Sequence, residues 1–517
     1  MKHFNIAGPC HPQRHYMLPA TQRLKEENIS RLIETDSYFV VHAPRQTGKT
    51  TAMVALAKEL TASGQYTSAL VSMEVGAGFP QDIGAAEDAI LSNWRKGLSY
   101  DLPKELQPPP WPEDKKGERI SSALQAWAEA SPRPLVLFLD EIDALQDDVL
   151  ISILRQLRSG FRWRPNGFPA ALALIGLRDV RDYKIKSGGS SRLGSPSPFN
   201  IAVRAITLRN FSAKETKQLL QQHTAETGQD FTAEALNHVW YLTQGQPWLI
   251  NALAFVATEE LAQDHSQSIT VDIINKAKEI LILRRQTHLD QLLDKLRQER
   301  VKHVIEPLLA GSVMDNVSTD DRDYVIDLGL VRRLQGGHIV VANPIYQEII
   351  PRELASGTQD SLPMIQPSWL TADNKLDPNK LLASFISFWK QHGQPLLKSV
   401  PYHEIAPHLV MMAYLHRVVN GQGSIEREYA IGSRRIDLLI QYGDVQVAME
   451  LKVWRDGHKN PTQDGLPQLD RYLDGLELET GWLVIFDQRS GQPDISERVR
   501  TELTVSPKGR TVTLIYA

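Results

Sequence analysis

Two groups of residues in this chain have types and spacings that can do chemistry. The first is Ala43-Pro44-Arg45-Gln46-Thr47-Gly48-Lys49-Thr50-Thr51, with Asp140-Glu141-Ile142-Asp143 further along. A glycine-containing loop ending in Gly-Lys-Thr turns backbone N–H groups and a helix N-terminus toward one point, and that arrangement captures phosphate. On this reading Gln46, Thr47, Gly48, Lys49, Thr50 and Thr51 hold the phosphates of ATP. Lys49 sets a point charge on the β/γ-phosphates and the Thr50 hydroxyl ligates Mg²⁺. Asp140 holds the same ion through water, and Glu141 polarises the attacking water.

The second group is Asp437, Glu450 and Lys452. Two carboxylates brought close together repel each other unless a cation joins them. With a lysine on the same face they form a site for Mg²⁺, or Mn²⁺, and an activated water. Asp437 and Glu450 are the metal ligands in this scheme, and Lys452 orients or deprotonates the water. The competing reading is a surface salt bridge between Asp437 and Lys452.

The elements that must position these residues can be read from the pattern. Tyr38–His42 is a short apolar β-prone run of the kind that makes a buried parallel strand. Apolar residues at 53, 56, 57 and 60 predict a helix from Thr51. Further strands are expected at 69–74, at 135–139 before the acidic pair, at 170–177, and at 206–211 as the last of this sheet. Helices are expected at 84–97 and 118–130, with proline-rich and Gly/Ser-rich loops at 103–112 and 187–198. Arg178 and Arg181 follow a strand tip, where they either face the γ-phosphate or lie on the surface.

In the second group, Tyr442-Gly443-Asp444 is a tight-hairpin signal between strand-like runs at 434–441 and 445–453. A two-residue turn at Gly443-Asp444 pairs Tyr442 with Val445, Leu439 with Ala448 and Asp437 with Glu450. The facing Cβ atoms would then be about 5 Å apart. Lys452 leaves the strand on the same face as Glu450. Gln468 and Tyr472, four apart, share a face of the helix that follows.

Read in order, APRQTGKTT, FLDEID and GQPWLI resemble an AAA-like P-loop ATPase of the STAND and origin-recognition type, over about residues 16–355. Ala43 stands where that motif has its first glycine. The resemblance implies a helical lid whose Gly-x-Pro turn sets Pro247 against the nucleotide base, followed by a winged helix. Leu292, Leu296, Val301, Val304, Ile305 and Leu308 have helical spacing, 323–331 reads as a helix running into a strand, and 332–341 as a hairpin. A winged helix either enters a DNA groove or serves as an internal contact domain.

Ile436-Asp437, Glu450-Leu451-Lys452 and the helix bearing Gln468 and Tyr472 resemble the PD-(D/E)XK nuclease signature, over about 385–490. Ile436 replaces the family's proline. The resemblance implies a further glutamate on the opening helix, for which Glu404 is the candidate and Glu428 the alternative.

The expected fold class is therefore α/β multidomain: a P-loop NTPase core at 1–211, a helical lid at 212–285, a winged helix at 286–356, a linker at 357–370 and a restriction-endonuclease-like α/β domain at 371–517. The clearest linker composition lies at 355–370. The expected function is ATP binding and hydrolysis controlling metal-dependent cleavage of nucleic acid, DNA before RNA, with prokaryotic defence as the setting the resemblance suggests. The alternatives are a signalling or scaffold ATPase whose C-terminal domain binds without cutting, and a DNA-remodelling motor.

Composition sets the outer bounds. The 517 residues carry a formal net charge of −4, which excludes a globally basic nucleic-acid binder but not a local basic face. Cys10 is the only cysteine, so no intrachain disulfide forms. His11 and His15 beside it are too few for a structural zinc, and residues 1–17 read as a polar N-terminal segment without a signal-type apolar core. No apolar run approaches the length of a membrane span, so a cytoplasmic protein with no membrane partner is expected. A homo-oligomer is the further expected partner, with Arg204 and Arg209 as candidates for an arginine lent to a neighbour's site.

Overall fold

Uninterrupted apolar runs make strands buried on both faces, and the N-terminal part of the chain is built on such runs. The computed structural model describes residues 1–177, 201–284, 287–310, 314, 317–362, 367–399, 405–419, 423–428 and 437–517. They fall into two units, Met1–His288 with Ile326–Gly329, and Leu289–Val325 with Leu330–Ala517. Arg178, Arg181, Glu404 and the loop expected at 187–198 lie outside the described residues.

In the first unit the order is α1 (Gln22–Glu26), α2 (Ile29–Glu34), β1 (Tyr38–His42), α3 (Lys49–Ala62), β2 (Thr67–Ser72), α4 (Ile83–Asp101), α5 (Arg119–Ala130), β3 (Leu135–Asp140), α6 (Asp147–Gly160), β4 (Ala171–Gly176) and β5 (Ala202–Thr207). The sheet order is β2-β3-β4-β1-β5, with every neighbouring pair parallel. Every residue of β3 and β4 is buried. One face packs Met53 and Leu56 of α3 with Ile29 and Ile33 of α2. The other packs Trp94 of α4, Trp127 of α5 and Ile153 of α6. Each such side chain contributes roughly 1.5–3 kcal/mol of transfer free energy. Parallel strands bring their C-terminal ends to one edge, so the loop after β1 and the tips of β3 and β4 meet there.

Four differences from the sequence pattern have local causes. α3 begins at Lys49, because the loop glycine itself serves as the N-cap. The strand expected at 206–211 lies at Ala202–Thr207 instead. It is an edge strand with Val203 67% exposed, so apolar content did not mark it. Residues 147–160 form α6, an amphipathic helix that no motif announces. The N-terminal segment is also not a polar tail: Phe4 and Tyr16 are fully buried, their rings 4.9 Å apart, and both pack on His223.

Four α-helices follow: α7 (Ala213–Thr227), α8 (Ala233–Thr243), α9 (Pro247–Phe255), which runs on into a π-helical turn at Val256–Leu261, and α10 (Val271–Arg284). Ser212 and Glu215 close a capping box at the start of α7. Beyond them come α11 (Thr287–Leu293), α12 (Glu299–Ala310), α13 (Thr319–Asp327), an antiparallel hairpin of β6 (Val331–Arg333) and β7 (Ile339–Val341), and α14 (Pro344–Ser361). α14 runs into the stretch expected to be linker from 355. Once a helix is nucleated, adding residues is cheap, and Ser/Gly/Thr composition does not stop it.

The rest of the second unit contains α15 (Pro378–Ser399), α16 (Ala406–Val419), β8 (Gly423–Glu428), β9 (Asp437–Tyr442), β10 (Val445–Trp454), α17 (Thr462–Leu476), β11 (Thr480–Asp487), α18 (Ile495–Arg498), β12 (Arg500–Val505) and β13 (Thr511–Tyr516). Its six-stranded sheet has the order β12-β13-β11-β10-β9-β8. β10, β11 and β13 are parallel, and antiparallel pairs flank them. α17 packs Leu469 and Leu473 against Ala448, Leu483 and Ile485. The opposite face receives Trp389 of α15 and His408 of α16 against Phe486. Among the described residues no helix is long and apolar enough to cross a membrane.

Candidate functional site

The phosphate loop is held in shape by its own polar groups. Gln46 (φ 59°) and Gly48 (φ 86°) are both left-handed, so successive N–H groups turn inward. The buried Thr47 donates its hydroxyl to the Pro44 carbonyl at 2.9 Å. Lys49 Nζ donates to the carbonyls of Ala43 (2.7 Å) and Pro44 (3.0 Å). Burial pulls this ammonium down to about 8, against the upward pull of Asp143 and Asp140. The Thr51 hydroxyl accepts from the Cys10 N–H at 3.2 Å, which ties the N-terminal segment to the loop.

Arg23 is a residue that sequence reasoning missed. It is buried in α1, donates to the carbonyls of Thr47 (2.9 Å) and Arg209 (2.7 Å), and stacks over Phe211 at 4.6 Å. Burial lowers its guanidinium to about 10. No spacing or motif marks a single arginine in a short helix.

The acidic pair reaches the same edge from β3. Thr50 Oγ1 donates to Asp140 Oδ2 at 2.7 Å, so the two residues expected to share Mg²⁺ are already in contact. Both offer hard oxygen donors, which fits that ion. Burial raises the Asp140 carboxyl, with the Thr50 hydroxyl opposing. Glu141 is left-handed (φ 58°) and accepts from Ser72 Oγ at 3.1 Å. Burial and then the neighbouring Glu74 raise its carboxyl. Gly176 ends β4 close to Asp143, whose Oδ1 would lie 2.9 Å from any Cβ there.

Pro247 opens α9 behind Gln246, whose side chain accepts from the Leu249 N–H at 2.6 Å. Gly245 (φ 77°) makes the turn, and its carbonyl accepts from the Phe211 N–H at 2.8 Å. Trp248 Nε1 donates to the Ile6 carbonyl at 2.9 Å. Pro247, Gly48, Thr51, Arg23 and Phe211 line one cleft. Arg204 and Arg209 are held by their own chain, Arg204 by Glu27 (2.6 Å) and Arg209 by Glu26 (2.6 Å) and Glu215 (2.7 Å).

In the second unit the hairpin register pairs Tyr442 with Val445, Leu439 with Ala448 and Asp437 with Glu450. β8 continues the row, with Glu428 opposite Asp437. Three acidic positions thus stand side by side across three strands. Asp437 and Glu428 are described in their backbone alone. Glu450 is fully buried, and its Oε1 lies 2.5 Å from Lys452 Nζ. Strand alternation sends both to the face that carries Ala448, which is the α17 side. Gln468 is on α17, and its Oε1 is buried without a hydrogen-bond partner among the described residues. Tyr472, one turn on, is buried in the same layer. Oxygen donors of this kind suit Mg²⁺ or Mn²⁺. Among the described residues no three His, Cys, Asp or Glu side chains make a metal cluster.

No protein-family profile matches the chain, and no curated protein is similar to it. Solved structures do match. A Walker-type ATPase of Pyrococcus abyssi is similar with a TM-score of 0.46 and 11% identity, over 67% of this chain and 99% of its own. The RuvB Holliday junction branch migration motor of Thermotoga maritima follows with a TM-score of 0.35 and 16% identity, over 63% and 94%. Cdc6p of Pyrobaculum aerophilum has a TM-score of 0.35 and 14% identity, over 68% and 98%. Likenesses this low carry no activity with them. The five-stranded parallel sheet, with the phosphate loop after β1 and the acidic pair after β3, fits a P-loop NTPase core.

Proposed function

We propose that the protein binds and hydrolyses ATP in its first unit, and that the β8–β10 edge of its second sheet is a metal-dependent nuclease centre under nucleotide control. In the first site the loop amides and Lys49 hold the phosphates, and Glu141 orients the attacking water. Thr50 and Asp140 would hold Mg²⁺, which would supply positive charge beside the phosphates. Pro247 lies against the base, and α7–α10 act as the lid. The segment from α11 to α14 is read as a winged helix.

At the second site Asp437 and Glu450 hold the ion, Lys452 orients or deprotonates the water, and Gln468 positions the substrate. Mg²⁺ or Mn²⁺ held there would supply Lewis-acid chemistry to the scissile phosphate. Glu428 supplies the third acid, since its backbone is in line with the other two. DNA is the substrate proposed ahead of RNA, a homo-oligomer is the proposed assembly, and prokaryotic defence is the proposed setting.

The observation that carries the cutting half is Glu450: a carboxylate with no exposure, ion-paired with a lysine two residues on, with a second acid opposite in register. Taking a carboxylate out of water is costly, and a fold keeps one there when something cationic uses it. Purified Glu450→Ala and Lys452→Ala proteins should lose metal-dependent cleavage of plasmid and single-stranded DNA. Undiminished cleavage in both would remove the basis for this centre.

The same ion pair also supports a second reading, in which Lys452 simply neutralises Glu450 and the domain binds nucleic acid or a partner without cutting. ATP turnover with no cleavage of DNA or RNA, with Mg²⁺ and Mn²⁺ both supplied, would favour it.

A further inference from the structure

The cleft beside the phosphate loop is lined by residues of α3, α7 and α9 and by the segment before α1. Leu18, Pro19, Phe211 and Pro247 give it flat apolar walls, and it extends to Gly48 of the loop. A nucleotide with its phosphates on that loop buries its base here. Apolar walls attract any base, because every base has a π-face, so they do not choose among bases. Choice requires a polar group whose hydrogen bond only one base completes.

Asn251 is such a group. It lies on α9 one turn after Pro247, lines the cleft and is 7% exposed. Its Nδ2 donates to the Pro247 carbonyl at 2.8 Å. That bond fixes which end of the amide is nitrogen, since the oxygen cannot donate. The other end, Oδ1, is then a buried acceptor, and it has no hydrogen-bond partner among the described residues. Orphaned buried acceptors are rare because each forfeits its bond to water, and a donor brought by a ligand restores that loss.

We infer that Asn251 is the specificity-determining residue of the base pocket, its Oδ1 accepting from the exocyclic 6-amino group of adenine. Guanine presents a carbonyl oxygen at that position, and two acceptors face to face repel. This inference rests on the proposed ATP site and adds the reason for its choice of base.

The test compares ATP with purine riboside triphosphate, which is ATP without the amino group. Dissociation constants are measured by calorimetry on the full chain, wild type and Asn251→Leu. Wild type should bind ATP about tenfold or more tighter than the analogue, the value of one completed buried hydrogen bond. Asn251→Leu should bind both alike, near the wild-type affinity for the analogue. Equal affinities in wild type would overturn the inference and leave the ATP site standing, and this arm needs no variant to fold. A variant that keeps the full preference would overturn it too. Failure of wild type to bind ATP at all would instead remove the proposed function beneath it.

Discussion

The Thr50 hydroxyl donates to the Asp140 carboxylate at 2.7 Å, although the two belong to different elements, one at the start of α3 and the other at the end of β3. The parallel sheet brings them together, and the contact sets two oxygen donors side by side at the place proposed for Mg²⁺.

Asp140→Asn keeps an acceptor for Thr50 but removes the charge. ATP hydrolysis should fall about a hundredfold or more, as it does when a preorganised electrostatic group is lost, while the fold is retained. Phosphate release across a Mg²⁺ titration measures this. Turnover close to wild type at every concentration would deny the pair its role.

Gly245 has φ 77°, and a Cβ there would lie 1.8 Å from the Phe211 carbonyl oxygen. Gly245→Ala therefore combines a left-handed strain with a backbone clash, and should destabilise the first unit by about 3 kcal/mol or more. Gly228 has φ 80° with open space around it, so Gly228→Ala should cost only about 1–2 kcal/mol. Denaturant midpoints of the two variants should separate clearly. Similar midpoints would mean that the turn yields easily.

His408 is buried, with neither ring nitrogen bonded among the described residues. Burial, helped by Lys452 and Arg455, pushes it down to about 3 from its ordinary 6.5. Below pH 6.5 the unfolded chain takes up a proton here that the folded chain refuses, so stability falls with falling pH down to about 3. His408→Leu removes this loss. Its stability relative to wild type should rise by about 1.4 kcal/mol for each pH unit below 6. Unfolding curves at several pH values measure the difference, and a constant difference would contradict the account.

Both chemical groups could be read from the sequence because each depends on short-range geometry. A strand, a Gly-Lys-Thr loop and a helix specify the geometry of the proposed phosphate cradle locally. A two-residue turn with period-two strands makes the pairing of Asp437 with Glu450 a matter of counting. What stayed hidden depends on contacts between distant parts of the chain. Arg23 clamps the loop from another helix, and Phe4 and Tyr16 build a core with His223 without any periodic pattern of their own. Asn251 looks like an ordinary polar residue in an apolar helix until the Pro247 bond fixes its orientation. α6 and the early start of β5 were missed because no motif marked the one and edge exposure disguised the other.

The central claim, cutting under nucleotide control, is tested most directly by one plasmid-cleavage assay with Mg²⁺, comparing wild type, Lys49→Ala and Glu450→Ala with and without ATP. The account predicts that ATP changes cleavage by wild type, that Lys49→Ala cuts at a rate indifferent to ATP, and that Glu450→Ala does not cut under either condition. Cleavage by Glu450→Ala equal to wild type, or an ATP response that survives in Lys49→Ala, would contradict it.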